Sequence, residues 1–394
     1  MTPVRDLPTI DDLEVEGRTV LVRADLNVPL DGGAIGDDFR LRAALPTIEA
    51  LRARRAAVVL CSHLGRPKGI DPAYSMKPVG ARLSEIGGFP VTVADDVAGP
   101  GARTAVDDQT DDVVVLENTR FEDGETTNDP GFAGRLAALA DAFVLDAFGS
   151  AHRAHASTVG VSALLPSAAG PLLLSEVRAF ARIIDDPDRP FVVALGGAKV
   201  SDKLGVIDAL LPKVDVMLVG GAMCFTLLVA EGYDVGDSRV EGDQVDAARK
   251  VLQSVNGGRV TLPTDVIVGE RFERDTTHRV VPATDMPRDG MGLDIGPESA
   301  ERFASILEGA DTIFWNGPMG VFEWPAFASG TLRVAKAVDA NRGYSVVGGG
   351  DTVAALEEFG LGDGVSHLST GGGAGLELIE QGTLPGLEAL RDGS

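Results

Sequence analysis

The sequence predicts an α/β fold of two doubly wound, mainly parallel sheets, and three features carry that reading. Apolar, β-branched runs recur near residues 19, 57, 90, 112, 142, 190, 215, 260, 311, 344 and 364. Helix-like stretches separate most of them, and strands that alternate with helices build right-handed βαβ units with parallel pairing. The third feature is how the runs end. In the first half they stop at cationic clusters and in the second half at glycines, and the strand ends of an open α/β sheet are where ligands sit.

Taken in order, VLVRADLNVP ends a strand in Arg23, Asp25 and Asn27, and LRAALPTIEALRAR (41–54) follows as a helix that Arg40 precedes. VVLCSHLGRP ends in His63 and Arg66, VVVLENTRF in Arg120, and FVLDAFGSAHRAH in His152, Arg153 and His155. The second half runs through VVALGGAKVSDK, VMLVGGAM, IFWNGPMGVFE, VVGGGDT and HLSTGGGAG, with helices expected over SDKLGVIDALL (201–211) and PAFASGTLRVAKAVDA (325–340). Ser201 reads as a good helix N-cap.

Eleven strands exceed one comfortable sheet, so they divide into about six and five. The division falls near SEVRAFARIIDDPDRP (175–190), where a helical pattern closes in acids and two prolines before a new strand. A helix joining two sheets implies domains that rock about a hinge. The expected organisation is a first domain over 1–174, a hinge helix over 175–190, a second domain over 191–375 and a closing segment over 376–394.

Composition excludes several classes of function. The net charge is −24 and the acid is spread evenly, since residues 1–190 hold 19 Lys and Arg against 29 Asp and Glu, and the remainder 16 against 30. Such a surface repels nucleic acid and anionic membranes. Only 7 of the 35 basic residues are lysines and aspartate dominates the acids. That bias suits a salt-rich cell interior, where a Debye length near ~3 Å at ~1 M removes long-range repulsion, and it predicts a halophilic archaeal source. No run approaches 18 apolar residues and the N-terminus carries acids where a signal peptide would be basic, so a cytoplasmic protein is expected. Cys61 and Cys224 read as small buried fillers in a reducing compartment.

Familiar nucleotide and metal signatures are missing. There is no G-x-x-x-x-G-K-[ST], no G-x-G-x-x-G in the first βα turn, no HRD, DFG, HExxH or CxxC. What remains is a division of labour. Arg23, Arg40, Arg66, Arg120 and Arg153, with His63 and His155, suit a small anion bearing a phosphate and a carboxylate, because guanidinium forks match both groups. The glycine turns of the second half let backbone N–H groups approach a nucleotide closely. Asp351, at a helix start, is placed either to meet a Mg²⁺ on phosphates or to serve as the helix N-cap.

Eleven ordered motifs then carry a resemblance. VRADLNVP, FRLRAALPTI, CSHLGRPKG, LENTRF, DAFGSAHRAH, LGGAKVSDK, GGAMCFTLL, GLDIGPES, WNGPMGVFE, GGGDT and HLSTGGGAGLELIE are similar, nearly end to end, to the phosphoglycerate kinase family. The resemblance implies a monomeric enzyme moving the acyl phosphate of 1,3-bisphosphoglycerate to ADP by direct in-line transfer after hinge closure. Carried over by position, Arg23, Asp25, Asn27, Arg40, His63, Arg66, Arg120 and Arg153 would bind phosphoglycerate. Lys203, Gly220, Gly221, Asn316, Pro318, Gly349, Gly350, Thr352, Gly371 and Gly373 would bind ADP or ATP, Glu323 would take the ribose hydroxyls and Asp351 the Mg²⁺. Arg40, Lys199, Lys203 and the Gly372 N–H would stabilise the phosphoryl in flight, and LPGLEAL would return to pack on the first domain. Ala222, Cys224, Gly375 and Leu145 depart from the family's usual residues without altering a charged ligand. The competing readings are another acyl-phosphate kinase, acting on acetate or carbamate, and a non-catalytic nucleotide-gated sensor. Five arginines exceed the needs of the first, and the second should have lost a charged ligand.

Overall fold

The computed structural model describes residues 7–109 and 113–392. The chain forms two compact units. One comprises the described residues as far as Arg178 together with those from Gln381 onward, the other Ala179–Glu380. Each is organised around a six-stranded sheet in which every pairing is parallel.

In the first unit the strands lie in the spatial order Val91–Val93, Val113–Val115, Ala57–Cys61, Thr19–Ala24, Ala142–Asp146, Ser167–Ala169. Thr19–Ala24 is thus central, pairing Thr19 with Ala57 on one side and Val20 with Ala142 on the other. Val20, Leu21 and Val22 are buried, as a strand covered on both faces requires. The order reverses beside this strand, so its C-terminal end and those of its two neighbours open the crevice where a doubly wound sheet takes ligands. The helix Phe39–Ala53 covers one face through Leu41, Ala44, Ile48 and Leu51. Helix Pro385–Asp392 also belongs here: Leu387 and Leu390 are buried, and Gly386 lies against Leu145 and Ala151 so closely that a side chain would not fit.

The second unit orders its strands Val260–Thr261, Val216–Val219, Phe191–Leu195, Thr312–Asn316, Tyr344–Gly348, His367–Leu368. By order of appearance this is 3-2-1-4-5-6, the arrangement of dinucleotide-binding sheets, and the switch point lies between Phe191–Leu195 and Thr312–Asn316. Trp315, fully buried, and Phe303 anchor the core beneath it.

The structure differs from the sequence reading in several places. Ser167–Ala169 is a sixth strand of the first sheet that the apolar pattern does not mark, because serine and alanine give no β-branched signal. The pattern also leaves unmarked a three-stranded antiparallel sheet, Asp265–Gly269 flanked by His278–Pro282 and Met291–Ile295. Its middle residues follow Val260–Thr261 without a helix, so they merge with that strand in a periodicity reading. The helix expected from residue 175 spans Pro171–Asp185 and crosses the boundary between units. Ser201 is not an N-cap. Its helix begins at Leu204, and its hydroxyl and N–H both donate to Glu241, at 2.7 Å and 3.0 Å. Among the described residues no helix is long and apolar enough to cross a membrane.

Candidate active site

In the first unit, the strand-end cations converge on His63. Burial and the charges of Arg23, Arg120, Arg153 and Arg40 hold its imidazole well below the ordinary histidine range. Burial also lowers Arg120, which feels Arg153, Arg23 and Arg66. The five arginines singled out from the sequence therefore share one field, and it is suited to an anion.

Local hydrogen bonds fix how each is held. Asn118, fully buried, accepts from the N–H of Leu64 and of Arg120, both at 3.1 Å, and its amide donates to the Leu64 carbonyl at 2.8 Å. This stitches the loop bearing His63 and Arg66 to the short 3₁₀ turn Thr119–Phe121 that carries Arg120. Arg120 then donates to the carbonyl of Gly65, a residue whose φ of +61° favours glycine. Asn27 accepts the Gly65 N–H at 2.8 Å. Arg40, in the first turn of Phe39–Ala53, donates to Asp25 at 2.5 Å, an ion pair whose carboxylate is buried and whose guanidinium stays one-third exposed. Arg153 donates through Nε to His152 at 3.1 Å. Arg66 is exposed.

Arg23 is placed differently from the others. Only 1% exposed, it donates through Nε to Ser157 at 2.9 Å and through Nη2 to His63 Nδ1 at 3.0 Å and Ser150 at 3.2 Å. Ser157 donates in turn to Glu125 at 2.6 Å, and Glu125 is fully buried. His155 lies 3.7 Å from the same carboxylate, and burial pushes its pKa down to about 4. Two buried opposite charges, Arg23 and Glu125, are thus linked through one hydroxyl, which satisfies both without exposing either. The sequence does not single out Glu125, Ser150 or Ser157. Serines near strand ends and one more acid in an acidic loop give no signal there.

In the second unit the loops leaving the switch-point strands are sewn together. Gly196 N donates to the Asn316 carbonyl at 3.0 Å, Gly197 N to Pro318 at 2.9 Å and Gly221 N to Met319 at 3.0 Å. A side chain on Gly196 or Gly317 would drive into this facing backbone, so the close approach needs glycine. Gly220 is buried among the same loops, where a Cβ would meet Met319. Lys203, 8% exposed, donates to the Asn316 side-chain oxygen, while the Asn316 amide donates to Gly348 at 2.8 Å. Burial lowers the Lys203 pKa to about 8, against the opposing pull of Asp202 and Asp351. Lys199 is exposed on the same loop.

Helix Gly350–Glu358 starts from Gly349, whose φ is +100°, with Thr352 accepting the Gly317 N–H at 2.7 Å. Asp351 therefore sits in the first turn, and the cap position alternative for it is overturned. Gly349 also packs on Gly372, the first residue of helix Gly372–Gln381, with Gly371 before it and Gly373 open to solvent. Between these turns lies a cavity of about 470 Å³ lined by Gly197, Gly221, Pro318, Glu323 and Asp351 among others. Among the described residues no group of three or more histidines, cysteines or acids could hold a metal ion. The exposed Asp351 fits a Mg²⁺ that arrives on phosphates, since that ion keeps water and phosphate ligands beside one or two carboxylates. Both cysteines are buried, and burial pushes the Cys61 thiol up to about 12.

Cations and backbone N–H groups placed at strand ends can neutralise and orient phosphate oxygens. The fold and these groups define a phosphotransferase of the two-domain α/β class. The phosphoglycerate kinase family model matches residues 10–382. Phosphoglycerate kinase of Salinispora arenicola is 54% identical over 98% of this chain and 100% of its own, and that of Thermus thermophilus is 54% identical over 97% and 99%. The solved structure of phosphoglycerate kinase from Coxiella burnetii aligns with a TM-score of 0.86 at 39% identity, covering 98% of this chain and 99% of that one. The one from Pyrococcus horikoshii gives 0.87 at 32%, with the same coverage. The chain belongs to the phosphoglycerate kinase family. Its 54% identical relatives named here are bacterial, so the expected halophilic archaeal source has no support from them.

Proposed function

We propose that the protein catalyses the reversible transfer of the acyl phosphate of 1,3-bisphosphoglycerate to ADP, giving 3-phosphoglycerate and ATP. The observation that carries this is the shared positive field of Arg23, Arg40, Arg66, Arg120 and Arg153 around His63. A substrate with a phosphate at one end and a carboxyl at the other can use it whole. A carboxylate is ionised at neutral pH and attacks without a general base. Catalysis then rests on positioning and on neutralising the equatorial oxygens of the transferring group.

In this reading Arg66, Arg120 and Arg153 hold the phosphate of phosphoglycerate, while His63 and Asn27 donate to its other polar groups and Asp25 orients Arg40. Arg40, Lys199, Lys203 and the Gly372 N–H stabilise the phosphoryl in flight. Lys203, Gly220, Gly221, Asn316, Pro318, Gly349, Gly350, Thr352, Gly371 and Gly373 line or build the ADP or ATP site, with Glu323 at the ribose. Asp351 would meet a Mg²⁺ carried on the nucleotide, and that ion, when bound, would neutralise charge on the phosphates. Because each ligand is held by a different unit, transfer requires closure about the 175–190 segment. The acidic surface, net charge −24, supports a cytoplasmic monomer that avoids nucleic acid and membranes and works in high salt. The test is to incubate the protein with 3-phosphoglycerate and MgATP and follow ADP. No ADP beyond that formed without 3-phosphoglycerate would refute the reading.

A further inference from the structure

Besides Glu323 and Asp351, assigned above, and Asp294, which accepts from Gly330 N at 2.8 Å and Ile295 N at 2.9 Å, the cavity beside Asp351 carries one further charged group that the transfer reaction does not use. Arg239 lines it, together with the apolar side chains of Phe225, Val266, Met291 and Leu293. The turn that bears Arg239 is fastened to the rim: Asp237 N donates to the Gly290 carbonyl at 2.9 Å, and Gly292 N donates to Ser238 Oγ at 2.9 Å. Gly292 in turn packs against the Phe225 ring, where no side chain would fit. These contacts set Arg239 beside an apolar chamber of the right character for a flat base. The nearest acid in sequence after it, Glu241, is already taken by Ser201. Arg239 is exposed, and no ion pair or hydrogen bond of its side chain occurs among the described residues, although the chain has 59 acids for 35 bases.

The four apolar side chains named offer a base no hydrogen bond, so among these side chains discrimination falls to Arg239. A guanidinium only donates, in a planar fork. A 6-oxopurine presents two acceptors on one edge, N7 and O6, which match that fork. Adenine presents N7 beside an amino group, which opposes it. We infer that Arg239 is a specificity-determining residue that reads the purine edge and favours guanine or hypoxanthine nucleotides. This rests on the nucleotide reading of the cavity given above.

The test is kcat/KM for phosphorylation of 3-phosphoglycerate with MgGTP, MgITP and MgATP, in the wild type, Arg239→Leu and Arg239→Lys. The leucine variant should lower the GTP-to-ATP ratio by at least about fivefold, the lower end of what a bidentate contact to a base is worth. ITP should follow GTP, since both carry O6, and lysine should fail to restore the ratio because it lacks the fork. An unchanged ratio, or an equal loss with all three nucleotides, would overturn the inference, the latter by moving Arg239 to the phosphates. Calorimetric titration of MgGDP against MgADP reads the same ratio without turnover. Binding of neither diphosphate, with no phosphorylation by any of the three triphosphates, would instead sink the parent reading.

Discussion

Arg23 Nη2 lies 3.0 Å from His63 Nδ1, with Arg23 buried and its Nε tied to Ser157. A guanidinium has no acceptor, so His63 Nδ1 must accept and the ring proton must sit on Nε2. The imidazole is thereby a neutral donor aimed away from Arg23. Nitrogen-detected NMR should show the Nε2-protonated tautomer persisting from pH 8 to about 5.5, through the range where a free histidine titrates. A half-protonated ring near pH 6.5 would contradict the arrangement. Arg23→Met should raise KM for 3-phosphoglycerate and destabilise the fold, because the buried Glu125 carboxylate then keeps its Ser157 and Thr119 donors but loses the cation linked to it through the Ser157 hydroxyl.

Lys203 provides the clearest pH dependence. Its pKa is about 8 because burial disfavours the ammonium. Nucleotide phosphates beside it would restore the charged form and raise that pKa. Binding should therefore take up a proton around and above pH 8, and nucleotide affinity should fall as pH rises past 8. Calorimetry of MgADP binding in buffers of different ionisation enthalpy checks this directly. Zero proton uptake at pH 8.5, or an uptake unchanged in Lys203→Met, would remove Lys203 from the phosphates.

Arg40 is held by Asp25 at 2.5 Å and stays one-third exposed. Arg40→Ala should leave nucleotide binding nearly intact and lower turnover by ~3 to ~4 kcal/mol of barrier, typical for one preorganised charge-stabilising group. Lysine should rescue little, because the fork that meets both Asp25 and a phosphoryl oxygen is lost. A variant keeping more than about a tenth of wild-type turnover, a loss of at most ~1.4 kcal/mol, would take Arg40 out of the reaction.

Asp351 lies in the first turn of its helix and not at its cap, which makes its substitution informative. Asp351→Asn keeps the shape and should weaken Mg-nucleotide binding far more than binding of free nucleotide. Titrations with Mg²⁺ and with EDTA separate the two. Equal weakening in both would leave the carboxylate acting on the helix dipole or on Lys203 alone.

The cations at strand ends are legible in the sequence because so acidic a chain does not place Arg66, Arg120 and Arg153 after apolar runs without a partner in view. The glycines at Gly196, Gly317 and Gly349 are legible for a related reason, since backbone that must approach backbone excludes every other residue. What lies beyond sequence reasoning is the support beneath those groups. Ser150 and Ser157 lie 127 and 134 positions from Arg23, and a hydroxyl's partner across that distance is fixed by topology. Ser167–Ala169 is invisible as a strand because it is built from small side chains. Ser201 reads as a cap in the sequence because its actual partner, Glu241, comes from a segment forty residues away.

The acidic surface gives the last prediction. Several exposed arginines already pair with acids, among them Arg54 with Asp11, Arg135 with Glu122 at 2.5 Å and Arg182 with Asp188 at 3.1 Å. Exposed pairs of this kind are worth little, a median of ~0–1 kcal/mol each, and salt weakens them. The excess of acid over base, 24 charges, repels itself over a range that shrinks from ~10 Å at ~0.1 M to ~3 Å at ~1 M salt. Repulsion acts among all the unpaired acids while each pair acts once, so screening should stabilise the fold on balance. The thermal midpoint measured against KCl should climb well past physiological concentrations, and KCl and NaCl should act alike if screening is the cause. A midpoint flat from about 0.1 M to about 2 M, the span over which screening changes most, would mean that the surface pairs and the acid excess cancel, and the high-salt reading would fall with it.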